Sequence, residues 1–350
     1  MTTPRLAVAG AGLIGRRHIE LVQASDAVHL QAIVDPSPDA RAVADAAGVA
    51  LYPDLAQLFT AEAVDGVILA TPNALHVEQA LQCIEHGVVA LIEKPVAHTL
   101  EAGERLLQAA TAAQARLLVG HHRAHSPILA RAREVIAQGT LGRIVAVSGS
   151  ATFYKPTDYF ESAPWRRQPG GGPILINLIH EIGNLRALCG EITAVQAMAS
   201  NATRGFAVED TAAILLRFAG GALGTFVLSD TAASARSWEQ TSQENASYPS
   251  YADEDCYVIA GTHGSLAVPT MRLKTYASDD ARSWFKPFQL GQASVERADP
   301  LALQLAHFAD VIQGRAQPLV SVRDGVQNLR VVEAIATAIQ TQAQVAVATD

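Results

Sequence analysis

Three cysteines in 350 residues are too few, and too scattered, for cysteine's structural uses. Cys83, Cys189 and Cys256 show no metal-ligand spacing, and an odd number closes no disulfide framework. No apolar run approaches the roughly 20 residues of a membrane-spanning helix. Basic charge is in deficit: 26 Lys and Arg stand against 34 Asp and Glu, a net charge of −8. That balance argues against the basic face of a nucleic-acid binder. The opening Met1–Gly10 runs straight into a strand-like stretch, without the charged and apolar regions of a signal peptide. There is no internal repeat and no low-complexity tail. The expectation is a soluble, cytoplasmic protein of a reducing compartment, with neither membrane nor nucleic acid as partner. What is present is ordinary for a globular chain, 49% hydrophobic and 17% charged, which excludes disorder. The length is a prior for two domains.

The first 120 residues alternate. Apolar runs at Leu6–Ala9, Val28–Val34, Val67–Ala70, Val88–Ile92 and Leu117–Val119 are separated by helix-period segments such as Ala74–His86 and Leu100–Ala113. Strands alternating with helices predict βαβ units and a parallel sheet, whose strands read as continuous apolar runs because both faces are buried. After Gly120 the texture changes. A helix is expected over Pro127–Gln138, then a strand over Ile144–Ser148, an irregular stretch from Thr152 to Gly172, and a mostly apolar helix over Pro173–Leu188. Strand-like runs then crowd together at Ile192–Ala199, Thr211–Phe218, Ala222–Leu228, Cys256–Ala260 and Ser265–Val268, with Gly220-Gly221 as a hairpin signal. This pattern predicts an open, largely antiparallel sheet with helices on one face. The polar segment Ser234–Asp255 reads as a long loop, functional or at an interface. Two helices close the chain. Ser321 with Asp324 resembles a capping box, and Val322, Val326, Leu329, Val332, Ala336 and Ile339 form one apolar stripe.

Gly10-Ala-Gly12-Leu13-Ile14-Gly15 follows the first strand and opens a helix. Its three glycines serve a tight turn, the approach of backbone to a pyrophosphate, and close helix–strand packing. Asp35 stands twenty residues after Gly15 at the end of the second strand, where a carboxylate meets a ribose 2′-hydroxyl and repels a 2′-phosphate. NAD is therefore the expected cofactor, ahead of NADP. Thr71-Pro72-Asn73 ends another strand and His76 follows. They are placed either to line the cofactor or to form a plain turn capped by Asn73. Glu93-Lys94-Pro95 ends the strand after that. Lys94, one of only four lysines, is either a desolvated base or half of an ordinary Glu–Lys pair. Gly120-His121-His122-Arg123-Ala-His125 offers a rim of hydrogen-bond donors at a substrate mouth. Its histidine spacing makes no reliable metal face, and no metal is expected. Trp165-Arg166-Arg167 is either a further substrate contact, with arginine suited to a carboxylate, or solvated surface charge.

These motifs in this order, with Trp165-Arg166, Gly170-Gly-Gly172 and His180, Val208-Glu-Asp210-Thr, Gly261-Thr-His-Gly264-Ser and His307-Phe308, resemble the Gfo/Idh/MocA family over nearly the whole chain. Members are NAD(P)-dependent dehydrogenases of sugars, inositols and related cyclic alcohols. The resemblance implies that Lys94 reaches the substrate hydroxyl, that Pro95 follows a cis bond, and that His180 is the second catalytic group. On residue types alone His180 would read as a satisfied core histidine. Many members carry an aspartate four residues before this histidine and another three residues after it. Here Ile176 and Gly183 hold those places, with Asn177 and Asn184 next to them.

The sequence thus predicts an α/β protein with a Rossmann domain (1–122, parallel sheet) and an α+β substrate-binding and oligomerisation domain (123–350, open and mostly antiparallel sheet). Cofactor contacts are expected from Gly10, Gly12, Leu13, Ile14, Gly15, Asp35, Thr71, Pro72, Asn73, His76, Glu93 and Lys94. Substrate contacts are expected from His122, Arg123, Trp165, Arg166, Asn177 and His180, with Lys94 and His180 catalytic. The expected reaction is NAD-dependent oxidation of a secondary alcohol of a sugar, inositol or cyclic polyol, by a homo-oligomer (dimer or tetramer) joined through the C-terminal sheet. A carboxylated aromatic cis-dihydrodiol is an alternative substrate, and a non-catalytic NAD-binding sensor or structural protein an alternative class.

Overall fold

Apolar runs too short for helices and flanked by glycine or turn residues build the first sheet. Its strands are β1 (Arg5–Ala9), β2 (His29–Val34), β3 (Ala50–Tyr52), β4 (Gly66–Leu69), β5 (Val89–Glu93) and β6 (Leu117–Gly120). Their order is β3-β2-β1-β4-β5-β6, and every neighbouring pair is parallel. The helices α1 (Leu13–Gln23), α2 (Ala40–Ala47), α3 (Leu55–Ala61), α4 (His76–Glu85) and α5 (Leu100–Ala112) lie between successive strands along the chain. Strand order reverses between β1 and β4, which leaves a crevice beyond their carboxyl ends where such sheets bind ligands.

The second sheet is built on the other periodicity. After α6 (Pro127–Ala137) come β7 (Ile144–Thr152), α7 (Thr157–Glu161), α8 (Ile179–Cys189), β8 (Ile192–Ser200), β9 (Thr211–Phe218), β10 (Leu223–Ser229), α9 (Trp238–Thr241), β11 (Tyr257–Gly261), β12 (Gly264–Val268), β13 (Arg272–Thr275) and β14 (Gln289–Gln292). The chain closes with α10 (Pro300–Ile312), α11 (Val322–Thr341) and β15 (Val345–Ala346). The sheet has nine strands in the order β14-β13-β12-β11-β7-β10-β9-β8-β15, antiparallel except for the β7–β10 pair. Burial alternates along β9 and along β10 as far as Leu228. Ile214, Leu216, Phe218 and Phe226 point into a core shared with Ile128 and Leu129 of α6 and Ile179, Ile182 and Leu185 of α8. Leu215, Leu223 and Val227 point out. Gly221, at φ +87°, turns β9 into β10 as the glycine pair predicts.

This computed structural model describes residues 3–349, and the chain divides into two compact units: Met1–His125 with Pro300–Leu329, and Ser126–Asp299 with Arg330–Asp350. The sequence reading draws one boundary at 122/123. The difference comes from α10, whose Leu305, Phe308, Ala309 and Val311 share a core with Leu6, Val8 and Ile68 of the first sheet. A contiguous sequence pattern does not reveal where a distant helix packs. The capping box before α11 is present, Ser321 N–H donating to Asp324 and Asp324 N–H to Ser321 Oγ. The predicted stripe is buried from Val322 to Val332, but Ala336 and Ile339 are only half-buried, and Ile335 and Ala338 take the core positions there. The segment Ser234–Asp255 is pinned and not a free loop. It contains α9, and Trp238 is fully buried with Nε1 donating to Glu244 at 3.0 Å. Among the described residues no helix is long and apolar enough to cross a membrane.

Candidate active site

Gly10 leaves β1 with φ +93°, and a Cβ there would lie 2.4 Å from the Ala70 carbonyl at the end of β4. A Cβ on Gly15 would lie 1.8 Å from the Gly10 carbonyl. These two glycines let the turn fold against β4 and α1 settle onto the turn. Gly12 is different: a Cβ there meets nothing within 4 Å. It is the N-cap of α1 and contributes no side-chain cap, so the first N–H groups of the helix keep their capacity for an anion. Leu13 is 85% exposed beside it. Asp35 is fixed next to this loop. Its carboxylate accepts from Ala11 N–H at 2.7 Å and Ser37 N–H at 2.8 Å, and its own N–H reaches Tyr52 of β3. An open backbone cradle at a helix N-terminus with a carboxylate at its side fits the pyrophosphate and ribose of a dinucleotide.

Behind the cradle, several polar groups face the protein itself. Buried His76 sets Nδ1 2.8 Å from the Pro95 carbonyl and Nε2 2.9 Å from the Thr71 carbonyl, and burial keeps its pKa below the ordinary value. It lies between the loop after β4 and the loop after β5, with a ring nitrogen facing a backbone carbonyl of each. Glu93 is also turned inward. Its carboxylate lies 2.8 Å from His18 Nε2 and accepts from the Lys94 N–H at 3.1 Å. Burial alone would raise its pKa, but His18, Lys94 and His122 outweigh that and hold it at about 2. Glu93 is thus engaged by His18 and the Lys94 backbone as well as by the charge of Lys94. The Lys94–Pro95 bond is cis, as the family resemblance implies. Lys94 is partly buried, and burial lowers its pKa; Arg123 adds to the lowering and Glu93 opposes it. Sequence reasoning missed His18, although a polar residue on the Gly15–Ile19–Val22 buried face of α1 was the available signal.

The neighbouring histidines diverge. His121 is buried against Asn328, His125 packs near His307 with ring centroids 5.1 Å apart, and His122 is felt electrostatically by Glu93. Arg123 is buried. Among the described residues no group of three or more His, Cys, Asp and Glu gathers to hold a metal ion.

In the second unit, topology brings strand ends to one edge. β7 and β10 run parallel with Thr152 opposite Ser229, and β9 starts opposite the end of β10 at Thr211. Lys155, Glu209, Asp210 and Asp230 therefore emerge together. Lys155, which sequence reasoning missed, is buried with Nζ 2.7 Å from Asn177 Oδ1 and 3.5 Å from Asp230. It repeats the Lys-Pro dipeptide of Lys94-Pro95, a signal that was available. Arg204 takes the other Asp230 oxygen at 3.0 Å. The expected plain helix from Pro173 opens instead as a π-helix over Ile174–Leu178, which carries Asn177, before α8 presents buried His180. Glu209 receives the Ile174 N–H at 2.9 Å, and a Cβ on Gly172 would strike that carboxylate at 2.4 Å. Asn184 does not replace the absent acid, because its amide donates to the Tyr257 hydroxyl at 2.9 Å. Arg166 lies 3.8 Å from the Tyr159 ring centroid, while Trp165 is 53% exposed. Thr71 Oγ1 is occupied by Gln79 at 2.5 Å.

A model of the oxidoreductase family described as having an NAD-binding Rossmann fold matches residues 4–121, and one described as the GFO/IDH/MocA C-terminal domain matches residues 129–267. The rhizopine catabolism protein MocA of Rhizobium meliloti is 30% identical over 193 residues, 55% of this chain and 59% of that protein. The inositol 2-dehydrogenase of Rhizobium meliloti (strain 1021) is 23% identical over 349 residues, 99% of this chain and 100% of that protein. The fold is that of the WlbA dehydrogenase from Bordetella pertussis, solved in complex with NADH and UDP-GlcNAcA, with a TM-score of 0.80 at 24% identity over 100% of both chains. One model falls on the parallel sheet and its glycine cradle, the other on the antiparallel sheet: this chain belongs to the Gfo/Idh/MocA family of oxidoreductases and carries that family's NAD-binding Rossmann domain.

Proposed function

We propose that the protein oxidises a secondary alcohol of a sugar, an inositol or a related cyclic polyol, with Lys94 as the base. The observation that carries this reading is the setting of Lys94. It stands at the carboxyl end of β5, on the sheet that bears the glycine cradle, with its ammonium destabilised by burial. An amine held below its ordinary pKa is nearer to the neutral form that accepts a proton at working pH. NAD, held by the Gly10–Gly15 loop and Asp35, supplies the hydride acceptor. Lys94 takes the hydroxyl proton. Glu93 does not compete for it, because its carboxylate is engaged by His18 and by the Lys94 N–H. His180 is the second group, a hydrogen-bond partner of the reacting oxygen. With Ile176 in the place of the usual acid, the proton rests on Lys94. The relative that matches along the whole chain is an inositol 2-dehydrogenase, which supports a cyclic polyol.

The same reading includes a homo-oligomer, dimer or tetramer, joined through the outer face of the second sheet. Met198 is 71% exposed there, Leu215 52% and Leu223 54%. A groove of about 580 Å³ runs along this face, lined by Val195, Leu215, Leu223 and Val258 among others. Apolar patches of this kind mark interaction surfaces.

The test is NAD reduction over a panel of myo-inositol, D-glucose and related cyclic polyols, followed through the absorbance of the reduced cofactor. Turnover of one class above the rest is expected. NAD binding without turnover of any member would favour a sensor.

A further inference from the structure

We infer that Lys155 is a positioning residue that locks the Asn177 side chain as a hydrogen-bond donor, so that this enzyme grips an acceptor oxygen of its substrate through the Asn177 amide. The inference rests on the reading of Asn177 as a substrate contact.

The argument begins with proton counting. An ammonium only donates hydrogen bonds, and an amide has one accepting oxygen and one donating NH₂. The Asn177 atom 2.7 Å from Lys155 Nζ is therefore Oδ1, and the NH₂ must turn away from the lysine. Among the described residues Nδ2 has no hydrogen-bond partner, and Asn177 is only half-buried, so this donor remains available.

The lock is rigid because Lys155 is itself held. It is 8% exposed, its Nζ lies 3.5 Å from Asp230, and its backbone N–H donates to the Asp230 carbonyl at 2.9 Å. Asp230 is fixed in turn by Arg204, which donates to one carboxylate oxygen at 3.0 Å and to the Asp230 carbonyl at 2.6 Å. The ammonium also lies 4.8 Å from the centroid of the Tyr159 ring. From the other side, Glu209 receives the Ile174 N–H and anchors the first residue of the π-helix that carries Asn177.

An aspartate at 177 would keep a partner for Lys155 but present only acceptor atoms outward. Against a substrate oxygen that accepts, this exchanges attraction for lone-pair repulsion.

The experiment compares Asn177→Asp, Lys155→Met and Lys155→Arg with the parent enzyme. The assay uses NAD and whichever of myo-inositol and D-glucose is turned over faster, and thermal unfolding is recorded for each variant. Asn177→Asp is expected to raise KM at least tenfold, with kcat within about threefold and an unchanged unfolding midpoint. Lys155→Met frees the amide to rotate and is expected to raise KM by a smaller factor. Lys155→Arg, also donor-only, restores KM towards the parent value. Asn177→Asp with a KM equal to or below the parent's would overturn the inference alone. So would a KM in Lys155→Met equal to the parent's. Failure of the parent enzyme to turn over either polyol would overturn the reading beneath it.

Discussion

Replacing Gly12 by valine separates the two uses a glycine-rich turn can have. Its φ of −73° and ψ of −166° are open to any residue, and a Cβ would meet nothing within 4 Å. The cost to the fold is that of a poorer N-cap, about 1 kcal/mol, which for a unit of this size lowers the unfolding midpoint by about 2–4 °C. The cost to NAD is larger, because the two methyl groups fill the space through which a pyrophosphate approaches the backbone. We expect at least a hundredfold weaker binding, or ~2.7 kcal/mol. Gly15→Ala is the opposite case. Its methyl carbon would sit 1.8 Å from the Gly10 carbonyl, so the turn itself must move. Stability should fall by more than the usual cost of overpacking, about 1–3 kcal/mol. NAD titration by protein fluorescence, with thermal unfolding of the same samples, distinguishes the two. A folded Gly12→Val protein that binds NAD as the parent does would refute the assignment of the cradle.

Asp35 should make NAD bind at least tenfold tighter than NADP, and equal affinities in parallel titrations would contradict its role. Glu93 has its folded pKa held at about 2 against an ordinary 4.5, so its carboxylate stabilises the fold above pH 4.5 and loses that effect as pH falls towards 2. Glu93→Gln should therefore unfold earlier than the parent near pH 6, with the gap closing below pH 4.5; a gap constant with pH would show that the charge is unimportant. Leu215→Asp on the outer face of the second sheet should yield monomers by light scattering, and an unchanged mass would move the interface elsewhere.

The parallel sheet is legible because its central strands are buried on both faces and therefore read as unbroken apolar runs. β3 is not, since Ala50–Tyr52 is three residues long and only partly buried. β13 and β14 escape for a related reason: Arg272–Thr275 mixes charge with apolar residues, and all of Gln289–Gln292 is exposed. The π-helix at Ile174–Leu178 is invisible to periodicity, because a nearly all-apolar stretch carries no phase. At the site, the glycine cradle and Asp35 follow from spacing alone. His76 and Glu93 were located by the same logic, but their polar atoms face inward, and a position at a strand end does not reveal which way a side chain turns. The Lys155-Pro156 dipeptide flags Lys155, but its partners could be found only by the fold, because Asn177 and Asp230 come from segments 22 and 75 residues away.

The most direct test of the account is Lys94→Ala assayed on the best substrate of the polyol panel, with the parent's pH profile beside it. Removing a positioned base should lower kcat by about 10²–10⁴-fold while the NAD dissociation constant stays within about threefold. In the parent, kcat/KM should rise with pH through a single ionisation below the ordinary lysine value of 10.5, because only the neutral amine accepts the proton. That rise should be absent in Lys94→Ala. A Lys94→Ala enzyme that keeps most of its kcat and the parent's pH profile would contradict the assignment of Lys94 as the base.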